Sequence, residues 1–250
     1  MTTTTPTALI TGGSRGLGRA TALALAAAGI DTIITYRTGA AEAAAVVGEI
    51  EALGRRAVAM ALDTTDVGSF PAFARDVRAE LPGGTLDILV NNAGSALYSA
   101  FATTAEADFD RVFAEHVKGP FFLTQALLDL IADGGRIVNV SSALTRVSVP
   151  GSGPYASAKG AIEVLTRYQA LELGARGITV NVVAPGAVPT DFGDGHLRND
   201  AALQAMVVEG TALGRLATAE DIGRAIAGLT TASGAWVTGQ RIEASGGLRP

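Results

Sequence analysis

Short runs rich in aliphatic and β-branched residues alternate along this chain with longer helical patterns, and that alternation restricts the possible folds more than any other feature. The runs Thr7–Thr11, Asp31–Tyr36, Ala57–Ala61, Leu86–Asn91, Arg136–Val140 and Ile178–Val183 read as strands. Most are nearly continuous in apolar character, as required of a parallel sheet covered by helices on both faces. Helical patterns fall at about 15–28, 40–53, 67–80, 105–131 and 154–174, with a last helix near 219–231 and a strand near 236–243. Gly29, Gly54, Gly134 and Gly177 stand where helices should stop. No repeat, linker or shift in composition divides the chain. The expectation is a single α/β domain spanning 1–250, a doubly wound parallel sheet of seven strands with helices on both faces. Its ligand crevice should lie at the carboxyl ends of the strands. Residues 1–6 are expected to be disordered, and 187–210 to form a mobile substrate loop and helix.

The first strand runs directly into Thr11-Gly12-Gly13-Ser14-Arg15-Gly16-Leu17-Gly18, followed by an Ala/Leu-rich helix. Glycines in such a turn allow a tight reversal, let the backbone approach a pyrophosphate, and let the helix pack closely on the sheet. The helix start then offers unpaired N–H groups and a positive dipole end to phosphates. Further along, Tyr155 and Lys159 stand four residues apart, on one face of a helix. A cation beside a phenol stabilises the phenolate, which would lower the Tyr155 pKa and make it a usable general acid/base.

Composition removes other classes. Of 250 residues, 48% are hydrophobic and 17% charged, so a large single core can form. The net charge of −5 and the absence of any Lys/Arg block leave nucleic-acid binding without its electrostatic footprint. There is no cysteine, which excludes disulfides and thiolate chemistry. No metal site is expected. The mean hydropathy of +0.32 is raised largely by alanine and glycine, and the most apolar stretch, Ala20–Ile30, is too short to span a bilayer. No signal peptide is visible, and a cytoplasmic location is expected.

In the set and order of its motifs the chain resembles the short-chain dehydrogenase/reductase family, in its single-domain branch, and within it the 3-oxoacyl-carrier-protein reductases and related ketoreductases. The motifs are the glycine-rich turn at 11–18, Asp63, Asn91-Asn92-Ala93-Gly94, Ser141-Ser142, Tyr155 with Lys159, Pro185-Gly186-Ala187-Val188-Pro189-Thr190, and the terminal Thr238-Gly239-Gln240 with Gly246-Gly247. The likeness spans essentially the whole chain and implies a Rossmann-type fold. It also implies reversible hydride transfer, with Tyr155 as proton donor to a carbonyl oxygen. Ser142 would orient that oxygen, and Lys159 would tune Tyr155 and bind the nicotinamide ribose. Ser141, one residue along the strand, would point the other way.

The resemblance further assigns Gly12, Ser14, Arg15, Gly16, Leu17 and Gly18 to the cofactor phosphates, Asp63 and Thr64 to the adenine, and Ala93 and Gly94 to the adenosine side. Pro185, Gly186, Val188 and Thr190 would bracket the nicotinamide. Asn91 either approaches the cofactor or only ties neighbouring strands together. Asp66 reads as a helix cap, and His196 as a solvated loop residue. Where the family carries Asn before a Val-x-Gly sequence, this chain has His116. His116 either holds a relay water behind Lys159, is a satisfied core histidine, or marks a partly degraded site. In the first case its protonation near roughly pH 6.5 would weaken the relay.

Dinucleotide folds that prefer NAD place an acid at the end of the second strand. Arg37 holds that place here, followed by Thr38, and Arg15 adds a second guanidinium. Both suit a 2′-phosphate, so NADPH is the expected cofactor. The substrate crevice should be lined by Leu144, Val147, Val149, Tyr98, Phe192, Leu197 and Met206, which fits an apolar ketone or 3-oxoacyl group. The alternative is a non-catalytic dinucleotide-binding redox sensor or assembly protein on the same fold. The resemblance implies that the Ala/Leu-rich helices near 105–131 and 154–174 pair between subunits, and with the apolar segment 236–250 the expectation is a homotetramer.

Overall fold

The computed structural model describes residues 5–231 and 234–250, so the expectation for residues 1–4 lies outside the described residues. Pro6 is already tied down, its carbonyl accepting from the Asp31 amide at 2.9 Å. Seven strands form one parallel sheet in the order β3-β2-β1-β4-β5-β6-β7. They are β1 (Thr7–Ile10), β2 (Asp31–Tyr36), β3 (Ala57–Ala61), β4 (Leu86–Asn91), β5 (Ile131–Val140), β6 (Thr179–Pro185) and β7 (Arg241–Ala244). The order reverses between β1 and β4, which opens the crevice at that switch point. The sequence-derived fold class is the one observed.

The helices are α1 (Gly16–Ala27), α2 (Ala40–Ala52), α3 (Phe70–Ala79), α4 (Glu106–Phe113), α5 (Gly119–Leu127), α6 (Gly153–Leu173), α7 (His196–Asn199), α8 (Ala201–Glu209) and α9 (Ala219–Thr230). Strand alternation divides the core in two. Ala8, Ile10, Ile34, Val90 and Val138 face α1, α2 and α9, while Leu9, Ile33, Leu89, Ile137 and Val180 face α3, α5 and α6. The middle of each strand is therefore buried on both faces, which is why its sequence reads as a continuous apolar run. Among the described residues no helix is long and apolar enough to cross a membrane, and no cluster of His, Asp or Glu could hold a metal ion.

Several boundaries differ from the sequence reading. β5 begins at Ile131 rather than Arg136, so Gly134 lies within a strand and not at a helix stop. The helix expected over 105–131 is broken into α4, a π-helical turn at Ala114–Lys118, and α5, which restarts at Gly119-Pro120. Proline has no N–H to donate and its ring crowds the preceding turn, so the ladder shifts register there. Residues 67–69 form a separate 3₁₀ turn before Pro71. Asp66 occupies the cap position of that turn, but its carboxylate makes no capping hydrogen bond. The last strand begins at Arg241 rather than near 236. Val237–Gln240 approach β6 through mixed bonds. Asn181 donates to the Val237 carbonyl at 2.7 Å and accepts from the Gln240 amide at 3.1 Å. The Gly239 amide donates to the Val180 carbonyl at 2.7 Å, and the Gln240 carbonyl accepts from the Val182 amide at 2.9 Å.

Candidate active site

The glycine-rich turn is shaped by contacts that leave no room for side chains. Gly12 has φ +65°, and a Cβ on Gly18 would lie 2.1 Å from the Gly12 carbonyl oxygen. Thr11 Oγ1 accepts from the Asn92 and Ala93 amides at 2.9 Å, and Asn92 Nδ2 donates to the Thr11 carbonyl at 2.8 Å. The turn is thus latched to the end of β4. No side chain caps the start of α1, and Gly16, Leu17 and Gly18 line the crevice. Its first N–H groups are open to an anion.

One cavity of about 690 Å³ runs from this turn past the carboxyl ends of β4, β5 and β6. Gly12, Ser14, Arg15, Arg37, Thr38, Thr64, Ala93, Gly94, Pro185, Gly186, Val188 and Thr190 line its near end and floor. Ser142, Tyr155, Lys159 and His116 meet in the middle, and Tyr98, Leu144, Val147, Val149, Phe192, Leu197 and Met206 line the far end. His196 is exposed at that far rim, its ring 5.2 Å from that of Tyr98.

Of two residues assigned to the cofactor, Asn91 is turned away from the crevice and Asp63 is engaged by its own turn beside Thr64. Asn91 donates to Thr124 Oγ1 at 3.1 Å and Asn139 Oδ1 at 2.9 Å, while Asn139 donates to Thr166 and Gln169. Its side chain ties β4 to β5 and the helices behind. Asp63 is absent from the crevice lining. Its carboxylate accepts from the Thr65 amide at 2.8 Å and the Thr65 hydroxyl at 2.7 Å, and those bonds hold its pKa below the usual carboxylate range.

Ser142 starts a 3₁₀ turn and its Oγ accepts from the Leu144 amide at 3.2 Å. Ser141 points the other way, donating to Glu163 at 2.7 Å. Tyr155 and Lys159 are buried on α6, with the ammonium 5.7 Å from the centre of the phenol ring. The expected lowering of the Tyr155 pKa is not what this geometry produces. Burial raises it, Tyr98 and Glu115 add to the rise, and only the nearby Ser142 hydroxyl opposes it. The ammonium instead donates to the Val140 carbonyl at 2.8 Å. Burial pushes the Lys159 pKa down to about 8, against the pull of Glu115.

The π turn directs two consecutive side chains, Glu115 and His116, into the crevice. Glu115 accepts from the Ser95 amide at 3.0 Å and lies 3.6 Å from Arg37 Nη1. His116 Nε2 is 2.8 Å from the Ser95 carbonyl. A carbonyl only accepts, so Nε2 carries the proton and Nδ1 presents a lone pair. Nδ1 is buried and has no hydrogen-bond partner. Burial first, then the charge of Lys159, holds the imidazole pKa well below its ordinary value. The sequence-based expectation of protonation near 6.5 is therefore corrected: the ring is neutral through the physiological range. It stacks edge-on against Tyr155, with ring centres 5.2 Å apart. It fits there because Gly94 has no side chain, since a Cβ on Gly94 would fall 2.1 Å from His116 Cε1.

Comparison with known proteins identifies the family. The family model described as enoyl-(acyl carrier protein) reductase matches residues 12–249. The chain belongs to the short-chain dehydrogenase/reductase family. It is accordingly an oxidoreductase. It is 38% identical over 251 residues to the hydroxynaphthalene reductase-like protein Arp2 of Metarhizium brunneum, covering 96% of this chain and 93% of that protein. Among solved structures it resembles the angucycline C-6 ketoreductase LanV with bound NADP, at 39% identity and a TM-score of 0.90 over 98% of this chain and 95% of that one. A blue fluorescent protein from a metagenomic library, in complex with NADPH, is 35% identical with a TM-score of 0.90 over 98% of both chains.

Glu115, Asn92 and the terminal Leu248 and Arg249 were not singled out as site residues by the sequence. The last two line the far end of the crevice. Asn92 stands beside Asn91 in a quoted motif, so strand alternation was the signal that could have separated them.

Proposed function

We propose that the protein reduces a ketone with NADPH, Tyr155 giving the proton, and that a fused-ring ketone suits it better than a 3-oxoacyl chain. The observation that carries this reading is the meeting of Ser142, Tyr155 and Lys159 midway between a phosphate-type turn and a broad apolar crevice end. NADPH fits the near end on two counts. The uncapped start of α1 suits the pyrophosphate, and Arg15 and Arg37 suit a 2′-phosphate where an NAD-preferring fold has an acid. The similar LanV and metagenomic blue fluorescent protein structures hold NADP and NADPH respectively.

When bound, the nicotinamide supplies the hydride to the carbonyl carbon. Ser142 Oγ holds the carbonyl oxygen and Tyr155 Oη delivers its proton there. The raised pKa keeps the phenol protonated, and the driving force for transfer is the negative charge that builds on that oxygen as hydride arrives. The Lys159 ammonium stabilises the phenolate left behind. His116 Nδ1 accepts a hydrogen bond from water on the path that returns the proton. The fused-ring preference is supported by the apolar far end and by the hydroxynaphthalene and angucycline reductases in the chain's kinship. Following NADPH consumption with 2-tetralone and with ethyl acetoacetate tests it. Higher kcat/KM for 2-tetralone is expected; the reverse order overturns the preference, and NADPH binding without turnover of either overturns the enzymatic reading.

Copies of the chain are also proposed to assemble as a homotetramer through α5 and α6. Phe121, Val164, Tyr168 and Leu171 are exposed on these helices beside a groove of about 460 Å³. Unpaired apolar surface of this kind marks an interface. Light scattering should give a mass near 100 kDa, about four times the 25.3 kDa chain; a monomer would sink the proposal.

A further inference from the structure

Beneath Ser142 lies a chain of charged side chains that the proton-transfer machinery does not use. Glu163, one helical turn beyond Lys159, accepts from Ser141 Oγ at 2.7 Å and from Arg241 Nε at 2.8 Å, with Thr145 Oγ1 at 2.8 Å. Arg241 donates onward to Glu243 at 2.9 Å. Glu243 accepts twice from Arg146, at 2.8 and 2.5 Å, and once from Ser245 at 2.6 Å. Arg146 completes the chain by donating to the Leu248 carbonyl at 2.5 Å and the Arg249 carbonyl at 2.6 Å. Four hydrogen bonds from one planar guanidinium need the fork of arginine, which lysine lacks.

Arg146 does not itself line the crevice, whereas Leu248 and Arg249 do. On the opposite wall the tail pairs with the segment just past α8. The Arg249 amide donates to the Gly210 carbonyl at 2.8 Å, and the Gly247 and Gly246 carbonyls accept from the Ala212 and Leu213 amides at 2.9 and 3.0 Å. Arg146 is therefore its tie to the Ser142 side alone. An exposed ion pair alone adds little stability. Two main-chain carbonyls gripped by the same group fix a position instead, and here that position is part of the substrate end.

We propose that Arg146 is a positioning residue for substrate selection: it fastens the chain's last residues to the turn carrying Ser142, so that Leu248 forms a wall of the crevice. The inference rests on the ketone-reductase reading for its kinetic consequence but not for its structural one. Without the clamp, the wall loosens for a ligand long enough to reach it, while a short ligand held at Ser142 and Tyr155 is unaffected.

The test uses the full chain with NADPH, comparing wild type with Arg146→Ala, Arg146→Lys and Leu248→Ala. Hydrogen exchange over 241–250 should quicken in Arg146→Ala and Arg146→Lys, with the rest of the chain unchanged. The KM for 2-tetralone should rise about tenfold, the scale of one lost apolar contact, with kcat and the KM for NADPH within about twofold. The KM for cyclohexanone, a single ring, should stay put. Leu248→Ala should reproduce the KM effect, and adding Arg146→Ala to it should contribute nothing more. Unchanged exchange in the tail, or effects of Arg146→Ala and Leu248→Ala that simply multiply, would overturn the proposal. If neither ketone is turned over, the reductase reading fails, and the tail exchange still decides whether Arg146 is the clamp.

Discussion

At the cofactor end of the crevice main chain packs against main chain, whereas at the substrate end side chains face open space. Gly12, Gly18 and Gly94 each lack room for even a methyl group or hold a backbone angle that favours glycine, and Thr11 and Asn92 lock their segments together. Across the cavity, Tyr98, Val149, Phe192 and Met206 are all exposed. The first region is shaped by backbone, so most substitutions there disturb the fold. The second is shaped by the surfaces of residues that carry little of the fold, so substrate choice can change there at small structural cost.

The largest effect should come where the two ends meet. Tyr155→Phe removes the proton and keeps the ring, so kcat should fall by about 10²–10⁴-fold while the Kd for NADPH changes little. Steady-state rates and a cofactor titration check it, and a fully active variant removes the central residue of the reading. At the cofactor end, Arg37→Asp should lower kcat/KM with NADPH by about 10- to 100-fold, the worth of hydrogen bonds to a charged group, and narrow or reverse the preference over NADH. Equal use of both cofactors by the wild type would contradict the assignment of Arg37.

Gly18→Ala and Met206→Ala test the contrast itself. The first forces a methyl group onto the Gly12 carbonyl and should cost about 1–3 kcal/mol with a weaker Kd for NADPH. The second, at an exposed residue, should change stability by less than about 0.5 kcal/mol and register only in the substrate KM. Thermal melts that rank them the other way would erase the distinction.

The smallest effect expected is in pH dependence. Because Lys159 is held at about 8, kcat/KM for reduction by the free enzyme should decline above that pH as the ammonium is lost. Stability should move oppositely. Between about 8 and 10 the unfolded chain keeps a proton that the folded one has released, so folding grows stronger as pH rises. The raised Tyr155 works against this above 10. No inflection near 6.5 should appear from His116, since its buried ring stays neutral there.

The sheet and most of its helices were legible because strands buried on both faces leave nearly continuous apolar runs. The glycine turn and the Tyr155/Lys159 spacing were legible for a similar reason, since local geometry demands those residue types. What escaped depends on contacts between distant segments. Val237–Gln240 read as strand because their composition suits one, yet the Asn181 side chain takes the Val237 carbonyl and the Gln240 amide and interrupts the ladder there. Lys159 read as a partner for the Tyr155 phenol because spacing places it on the same face, and only the fold reveals the competing Val140 carbonyl. Glu115 lies in a stretch whose pattern gives one unbroken helix, and the change of helical register turns its side chain into the crevice. The return of Leu248 and Arg249 to the crevice leaves no trace in local sequence.

The Gly94–His116 contact carries a consequence for how this site could change over time. Imidazole and glycine fill one volume between them, so the two positions are not independent letters. Gly94→Ala is blocked while the ring is present, because the new methyl would fall inside it. His116→Asn, with its shorter side chain, withdraws atoms from that volume and clears the way for the alanine. The route from a histidine with glycine to an asparagine with alanine at these two positions is therefore ordered: the ring must leave before the glycine can.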